Sequence, residues 1–229
     1  AEMRGHNAAL PLQNDNNETA MSLYDTYVLP AVIDRACSMP AVMEARRDVV
    51  PQCRGAVLEV GMGSGINLPL YDASKVDYIW GLEPSEGMRR KAQKNLAASD
   101  LDVRWLDLPG EKIPLADNSV DTILLTFTLC TIPDWRSALA QMHRVLKPDG
   151  QLLFCEHGLS EEPAVARWQN RITPVWKRFA GGCHLNRPIA ELLQEGHFTI
   201  DQLERRYLEK APRIAGYVYS GSAHKRVAD

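Results

Sequence analysis

The sequence predicts an α/β fold built on one doubly wound parallel sheet. Three observations predict it. Between residues 56 and 156, short apolar runs alternate with stretches of helical periodicity, the pattern of strands joined by crossover helices. The first apolar run leads straight into Gly61-Met62-Gly63-Ser64-Gly65, a turn poor in Cβ atoms that lets backbone approach a ligand. The 229 residues suffice for one domain with a sizeable core, or one domain with a small cap.

The elements follow in order. Residues 1–19 are polar and Asn-rich and read as a flexible segment, which leaves 20–229 as a single domain. Residues 21–50 read as helical, with Thr19 as a cap and interruptions near Pro30 and Pro40. Strands are predicted at 56–60, 76–83, 103–107, 120–126 and 151–156, with helices at 86–99 and 135–146. The second of these helices stops sharply at Lys147-Pro148-Asp149-Gly150. After His157 the pattern changes to a long helix at 163–179, a Gly181-Gly182 break and a short helix at 188–196. Runs at 199–208 and 214–219, joined through Pro212, bring the strand count to seven. The insertion at about 158–197 is expected to form a helical cap over the substrate.

Composition narrows the function classes. A net charge of −3 with no basic run argues against nucleic acid as a partner. No apolar segment reaches the eighteen or so residues that a membrane span needs, and the N-terminus does not read as a signal peptide. Five cysteines without a C-x-x-C pair fit reduced thiols in the cytoplasm.

The glycine turn narrows the ligand. Glu83 ends the second strand eighteen positions after Gly65, where a carboxylate can bind both hydroxyls of a ribose. A dinucleotide turn has the spacing G-x-G-x-x-G and holds a pyrophosphate on a helix N-terminus. Here the spacing is G-x-G-x-G, and Glu59 precedes the first glycine by two positions. That acid would repel a pyrophosphate and welcome a cationic amino-acid group. S-adenosylmethionine, with an ammonium and a sulfonium but no phosphate, is therefore favoured over NAD. Gly61, Met62, Gly63, Gly65 and Asn67 are the expected contacts of the turn, with Glu59 orienting the ammonium.

Four motifs in order, Leu58-Glu59-Val60-Gly61-Met62-Gly63-Ser64-Gly65, Gly81-Leu82-Glu83-Pro84-Ser85, Leu115-Ala116-Asp117-Asn118-Ser119-Val120-Asp121 and Arg144-Val145-Leu146-Lys147-Pro148-Asp149-Gly150, carry a family resemblance. Through them the chain resembles the class I S-adenosylmethionine-dependent methyltransferases over roughly residues 24–220. The resemblance implies a Rossmann-like, mostly parallel seven-stranded sheet with its last strand antiparallel. It implies that Pro84 and Met88 flank the cofactor beside Glu83, and that Leu108-Pro109-Gly110-Glu111 wraps the adenine. Pro109 stands where many relatives carry an Asp for the exocyclic amine, which leaves Asp107 or Glu111 for that contact. Met88 reads equally as core packing. Thr126-Phe127-Thr128 is implied to lie beneath the transferable methyl, with backbone carbonyls on the ammonium, and Cys130 follows as a buried apolar residue or a substrate wall. Tyr24 and Tyr27 are expected to close over the sulfonium, Tyr27 on the cofactor and Tyr24 on the acceptor, a cation–π contact worth about 0.5–2 kcal/mol.

Three side chains are candidates for moving a proton. His157 ends the fifth strand and can act as a general base, or pair with Glu156. Cys183 and His184 lie in a compact loop, Gly181-Gly182-Cys183-His184-Leu185-Asn186-Arg187-Pro188, whose Asn186 and Arg187 either contact the acceptor or cap the next helix. No second Cys/His cluster stands at ligand spacing, so no metal is expected. A covalent enzyme intermediate is unnecessary for transfer from a sulfonium.

Glu156-His157, Trp168, Pro174-Val175-Trp176, Gly182-Cys183, Arg187 and Gly216-Tyr217 further resemble the membrane-attached alkyl-thiol S-methyltransferases, related to bacterial-type phospholipid methyltransferases. An apolar N-terminal anchor like theirs is not seen, which implies a soluble form with at most peripheral membrane contact. A small-molecule thiol is the leading acceptor, because its pKa near ~8.5 needs only modest help to give the thiolate. Phospholipid, amine and hydroxyl acceptors follow, then a nicotinamide dehydrogenase and a non-catalytic cofactor-binding module.

Overall fold

In the computed structural model, which describes residues 29–226, seven strands form one sheet in the order β3-β2-β1-β4-β5-β7-β6. The strands are β1 (Gly55–Val60), β2 (Val76–Leu82), β3 (Val103–Leu106), β4 (Val120–Thr126), β5 (Leu146–His157), β6 (Phe198–Tyr207) and β7 (Tyr217–Lys225). The first five pair in parallel, and β7 runs antiparallel to both β5 and β6. The chain moves outward from β1 to β3, then returns to place β4 on the other side of β1. That reversal opens a crevice beyond the carboxyl ends of β1 and β4, the standard ligand position in an open α/β sheet.

The central strands are buried on both faces, which is why they read as unbroken apolar runs. In β4 the alternation is purely one of sides: Ile123 and Leu125 join one core, and Leu124 joins the other. In β5, Leu152 and Phe154 face the first core and Leu153 and Cys155 the second. The first core is closed by α4 (Trp135–Val145) and α6 (Ile189–Glu195), through Leu139, Met142, Ile189 and Leu193. The second is closed by α2 (Pro40–Arg47), which follows α1 (Leu29–Cys37), and by Val49 and Val50. Between β2 and β3 lies α3 (Glu86–Ala97), capped by Ser85, whose hydroxyl accepts from Met88 N–H. Asp134 caps α4 in the same way through Ser137 N–H.

Two elements differ from expectation. Residues 147–150, expected as a stop between helix and strand, belong to β5 as an irregularity: Val120 pairs with Leu146, but Thr122 pairs with Gln151. Lys147 Nζ, 2.6 Å from Asp121 Oδ1, fastens this bulge to β4. The last strand begins three residues later than predicted, at Tyr217, and runs on to Lys225. Residues 214–216 are instead a turn, with Ala215 and Gly216 N–H both donating to the Pro212 carbonyl. The second half of β7, Ser220-Gly221-Ser222-Ala223-His224-Lys225, shows no apolar alternation because backbone pairing on both sides holds it.

The segment between β5 and β6 folds over the end of the sheet, led by α5 (Pro163–Phe179). Gln169, fully buried, fastens it. Its side-chain nitrogen donates to the carbonyls of Gly158 (3.0 Å) and Ile214 (3.1 Å), and its oxygen accepts from Ser160 N–H (2.8 Å). Along α5, Trp168, Val175, Trp176 and Phe179 are exposed. Among the described residues no helix is long and apolar enough to cross a membrane. Tyr24, Tyr27 and the 1–19 segment lie outside the described residues.

Candidate active site

The crevice is a cleft of about 360 Å³ at the carboxyl ends of β1, β2 and β4, with α1 across its mouth. Its floor is the glycine turn. Gly61 (φ +71°) and Gly63 (φ +61°) both adopt the left-handed conformation that L side chains avoid. A Cβ on Gly61 would collide with the Thr128 side chain, and one on Gly63 would sit 3.2 Å from the Met88 methyl. Both glycines therefore hold a backbone conformation that disfavours a side chain, and at Gly61 a Cβ has no room.

Glu83 forms one side wall. It is 8% exposed, and each carboxylate oxygen accepts one backbone N–H, from Gly63 at 3.0 Å and Ser85 at 2.8 Å. Burial pushes its carboxyl up, against the pull of these two amides. Each oxygen keeps a lone pair for a ligand. Met62, Pro84, Met88, Pro109, Gly110 and Glu111 complete this end. Glu111 also accepts weakly from Asp134 N–H, at 3.3 Å.

The opposite end is built around Arg46, which sequence reasoning missed. Arg46-Arg47 reads as an ordinary basic pair, and only the rotation of α2 selects one of them for the interior. Arg46 is 3% exposed and lines the cleft. Its Nη1 donates to Asn67 Oδ1 (2.9 Å) and Thr126 Oγ1 (2.6 Å), its guanidinium lies 5.0 Å from the Phe127 ring centroid, and its Nε has no partner.

Glu59 stands behind this arginine rather than in the cleft wall. Asn67 Nδ2 (2.8 Å) and Tyr71 OH (2.7 Å) occupy its two oxygens, and burial raises its pKa against these bonds. Asn67 thus links Glu59 to Arg46, one layer beneath the ligand space. Gly65 backs onto α3, and Leu108 packs on the first core. None of Glu59, Asn67, Gly65 and Leu108 lines the cleft.

The end of β4 turns abruptly. Phe127 has φ +54°, an uncommon conformation for an aromatic residue, and its N–H donates to the Cys155 carbonyl. Buried Glu156 fixes the next residues by accepting from Thr128 N–H (2.8 Å) and Leu129 N–H (3.1 Å) through a single oxygen. Thr126, Phe127 and Thr128 all line the cleft.

Behind Phe127 the structure gathers three residues from three segments. His157 lies 6.4 Å from Phe127, ring centroid to ring centroid, nearly parallel to it, and its Nε2 is 3.2 Å from Cys183 Sγ. Cys130 completes the group, with the three ligand-type atoms all within 4.8 Å of one another. Hydrogen bonding with Cys130, then the bond and charge of His157, hold the Cys183 thiol below the usual thiol range despite its burial. Burial works to lower the His157 pKa, but Cys183 outweighs it and raises it. His157 therefore already bonds a sulfur through Nε2, and its buried Nδ1 has no partner. His184 turns away: its N–H and Nδ1 both meet the Cys130 carbonyl, at 2.9 and 3.2 Å. Arg187 is buried and donates to the carbonyls of Leu129 and Ile132, so it clamps the β4 loop and does not line the cleft. Asn186 bonds Asn170 outside the cleft, at 2.8 Å.

Known proteins match both sequence and fold. The family described as "Methyltransferase domain" matches residues 58–154. The human thiol S-methyltransferase TMT1B is 31% identical over 188 residues, covering 75% of this chain and 76% of that protein. The rat protein of the same name is 32% identical over 170 residues, covering 70% and 68%. The chain belongs to the class I S-adenosylmethionine-dependent methyltransferases.

Solved structures agree on the fold of this methyltransferase. YcgJ of Bacillus subtilis superposes with a TM-score of 0.64 at 16% identity, over 82% of this chain and 99% of that one. A Burkholderia thailandensis 1,6-didemethyltoxoflavin-N1-methyltransferase, holding S-adenosylhomocysteine, gives 0.62 at 20% identity, over 86% and 83%. The cofactor of the methyltransferase is S-adenosylmethionine, and the cleft suits it. At Gly61 the floor is backbone where a Cβ would not fit, Glu83 lines one side with lone pairs to spare, and Arg46 lines the other end.

Proposed function

We propose that this methyltransferase methylates the sulfur of a small apolar thiol. The observation that carries this reading is the sulfur–imidazole cluster of Cys130, His157 and Cys183, which adjoins the cofactor cleft at Phe127. Sequence likeness to the thiol S-methyltransferases of rat and human supports it.

In this reading Glu83 accepts from both ribose hydroxyls, and the Gly61–Gly63 backbone carries the methionyl chain. Arg46 holds the carboxylate of the amino-acid end, while carbonyls of the β4 turn face its ammonium. Pro109, Gly110 and Glu111 border the adenine. Bound S-adenosylmethionine supplies an electrophilic methyl on a sulfonium. The chain's own part is to align acceptor and methyl and to exclude water. Leu29, Ile33 and Ile132 give the cleft an apolar face toward α1, which suits an alkyl acceptor.

Two further features extend the reading. The outer face of α5 shows Trp168, Val175, Trp176 and Phe179, and the helix carries Arg167, Arg171, Lys177 and Arg178 with no acidic residue. Such a face suits peripheral contact with an anionic membrane surface, from which apolar acceptors are drawn. The five free cysteines, with Cys130 beside Cys183, suit the reducing cytoplasm. The test is turnover of S-adenosylmethionine with matched panels of alkyl thiols, amines and phospholipid vesicles. Thiol-dependent release of S-adenosylhomocysteine is expected, and release only with amines or phospholipids would overturn the assignment.

A further inference from the structure

The cluster behind Phe127 has the composition of a metal centre. Cys130, His157 and Cys183 come from the β4 turn, the end of β5 and the cap loop, and each holds one soft or borderline donor atom within 4.8 Å of the other two. In a tetrahedral zinc site, metal–sulfur distances of about 2.3 Å and metal–nitrogen distances of about 2.0–2.1 Å put neighbouring ligand atoms roughly 3.5–3.8 Å apart. The three atoms are therefore within about 1 Å of a closed ligand set, and His157 Nε2 is already 3.2 Å from Cys183 Sγ. Two thiolates and a neutral imidazole also cancel the charge of a divalent ion, as a buried site requires.

Cys183 has a supporting neighbour, whereas the buried His157 Nδ1 has none. Trp176 Nε1 donates to Cys183 Sγ at 3.4 Å, an N–H contact of the kind that orients a ligating thiolate. Arg187 is pinned by two carbonyls within electrostatic reach of both sulfurs and of buried Glu156. Each ligand has a neighbour in the cleft wall. Cys130 lies between Thr128 and Thr131, His157 lies against Phe127, and Cys183 follows Gly181 by two residues.

We propose that Cys130, His157 and Cys183 form a zinc site whose fourth position takes the sulfur of the acceptor. Three protein ligands leave that position open, as catalytic zinc sites do. On metal binding each cysteine thiol gives its proton to solvent. The acceptor thiol displaces a metal-bound water and likewise releases its proton. A sulfur lone pair then forms the new bond to the methyl carbon, and the carbon–sulfonium bond breaks with its electron pair going to the departing sulfur. The neutral thioether product, a weaker ligand than a thiolate, leaves the metal. This inference rests on the thiol reading of the acceptor.

The test uses the whole chain under a non-thiol reductant, loaded with Co²⁺ as a spectroscopic substitute, with metal content measured per chain. About one metal per chain is expected, with sulfur-to-cobalt charge-transfer absorption. That absorption should fall by about half in Cys183→Ser and rise by about half when an alkyl thiol is added, in proportion to the thiolate count. S-adenosylmethionine binding by the variant shows that it is folded. No stoichiometric metal, or an unchanged band in both Cys183→Ser and Cys130→Ser, would overturn the site. A band indifferent to thiols, in a protein that methylates them, would overturn the acceptor role. Thiol turnover by metal-stripped protein at the full rate would discard the zinc while keeping the thiol assignment. A metal-loaded protein that methylates only amines would discard the thiol assignment itself.

Discussion

Replacing Glu83 by alanine separates the cofactor site from the fold more cleanly than any other single change. The carboxylate is 8% exposed, lines the cleft and accepts one amide on each oxygen. In the proposed binding mode, two ribose hydroxyls donating to it would make charge-assisted bonds of roughly 1.5–3 kcal/mol each. Their loss, with water entering in place of the carboxylate, removes about 3 kcal/mol or more of binding, at least a hundredfold in Kd. The fold loses only acceptors for the N–H groups of Gly63 and Ser85, at a cost of about 1–2 kcal/mol. Titration calorimetry with S-adenosylmethionine reads the first quantity, and a thermal melt without ligand reads the second. A Kd within threefold of the native value, in a protein that melts normally, would remove Glu83 from the binding site.

Three other outcomes are expected. Burial raises the Glu83 pKa, and the ionised form is the one that accepts from the ribose, so cofactor affinity is full above that raised pKa and falls as pH drops through it. Calorimetry across pH should show this decline, whereas Glu83→Gln should bind more weakly and without the same step. Gly61→Ala places a Cβ at φ +71° against Thr128, a backbone cost of about 1–2 kcal/mol before the collision is counted. Its denaturation midpoint should fall, and an unchanged midpoint would refute the geometry of the turn. Arg46→Met keeps apolar bulk beside Phe127 but removes the guanidinium, and its Kd for S-adenosylmethionine should rise about tenfold to a hundredfold, the worth of a charge-assisted bond. Equal affinity would mean that the methionyl carboxylate binds elsewhere.

The sheet was legible where chemistry and packing coincide. Strands such as β1 and β4 are apolar on both faces because both faces are covered, and the glycine turn follows β1 with no room for side chains. The later half of β7 was not legible, since Ser220-Gly221-Ser222 is held by backbone pairing, which leaves no hydrophobic trace. Within the cleft, Gly61, Gly63 and Glu83 were readable because turn geometry and strand ends are local properties. Arg46 was hidden, because helix rotation alone distinguishes it from Arg47. The sulfur–imidazole cluster was hidden for another reason: Cys130, His157 and Cys183 lie on separate segments, so no motif of fixed spacing contains them. Glu59 lies outside the cleft lining, and its position along β1 alone does not reveal that Asn67 and Tyr71 engage both its oxygens.

The order in which the chain builds its cleft bears on how such a protein can change. Among the described residues, every one that lines the cleft lies between Leu29 and Pro133, except Gly181. The segment after β5 leaves the sheet, covers its end and returns to β6, held down by Gln169. Exchanging that segment for one of another length or polarity would leave the glycine turn, Glu83 and Arg46 undisturbed. Most of what surrounds the cofactor cleft is thus written in one stretch of the gene, and the cover over the sheet end in another. A lineage could rework that cover without relearning the glycine turn.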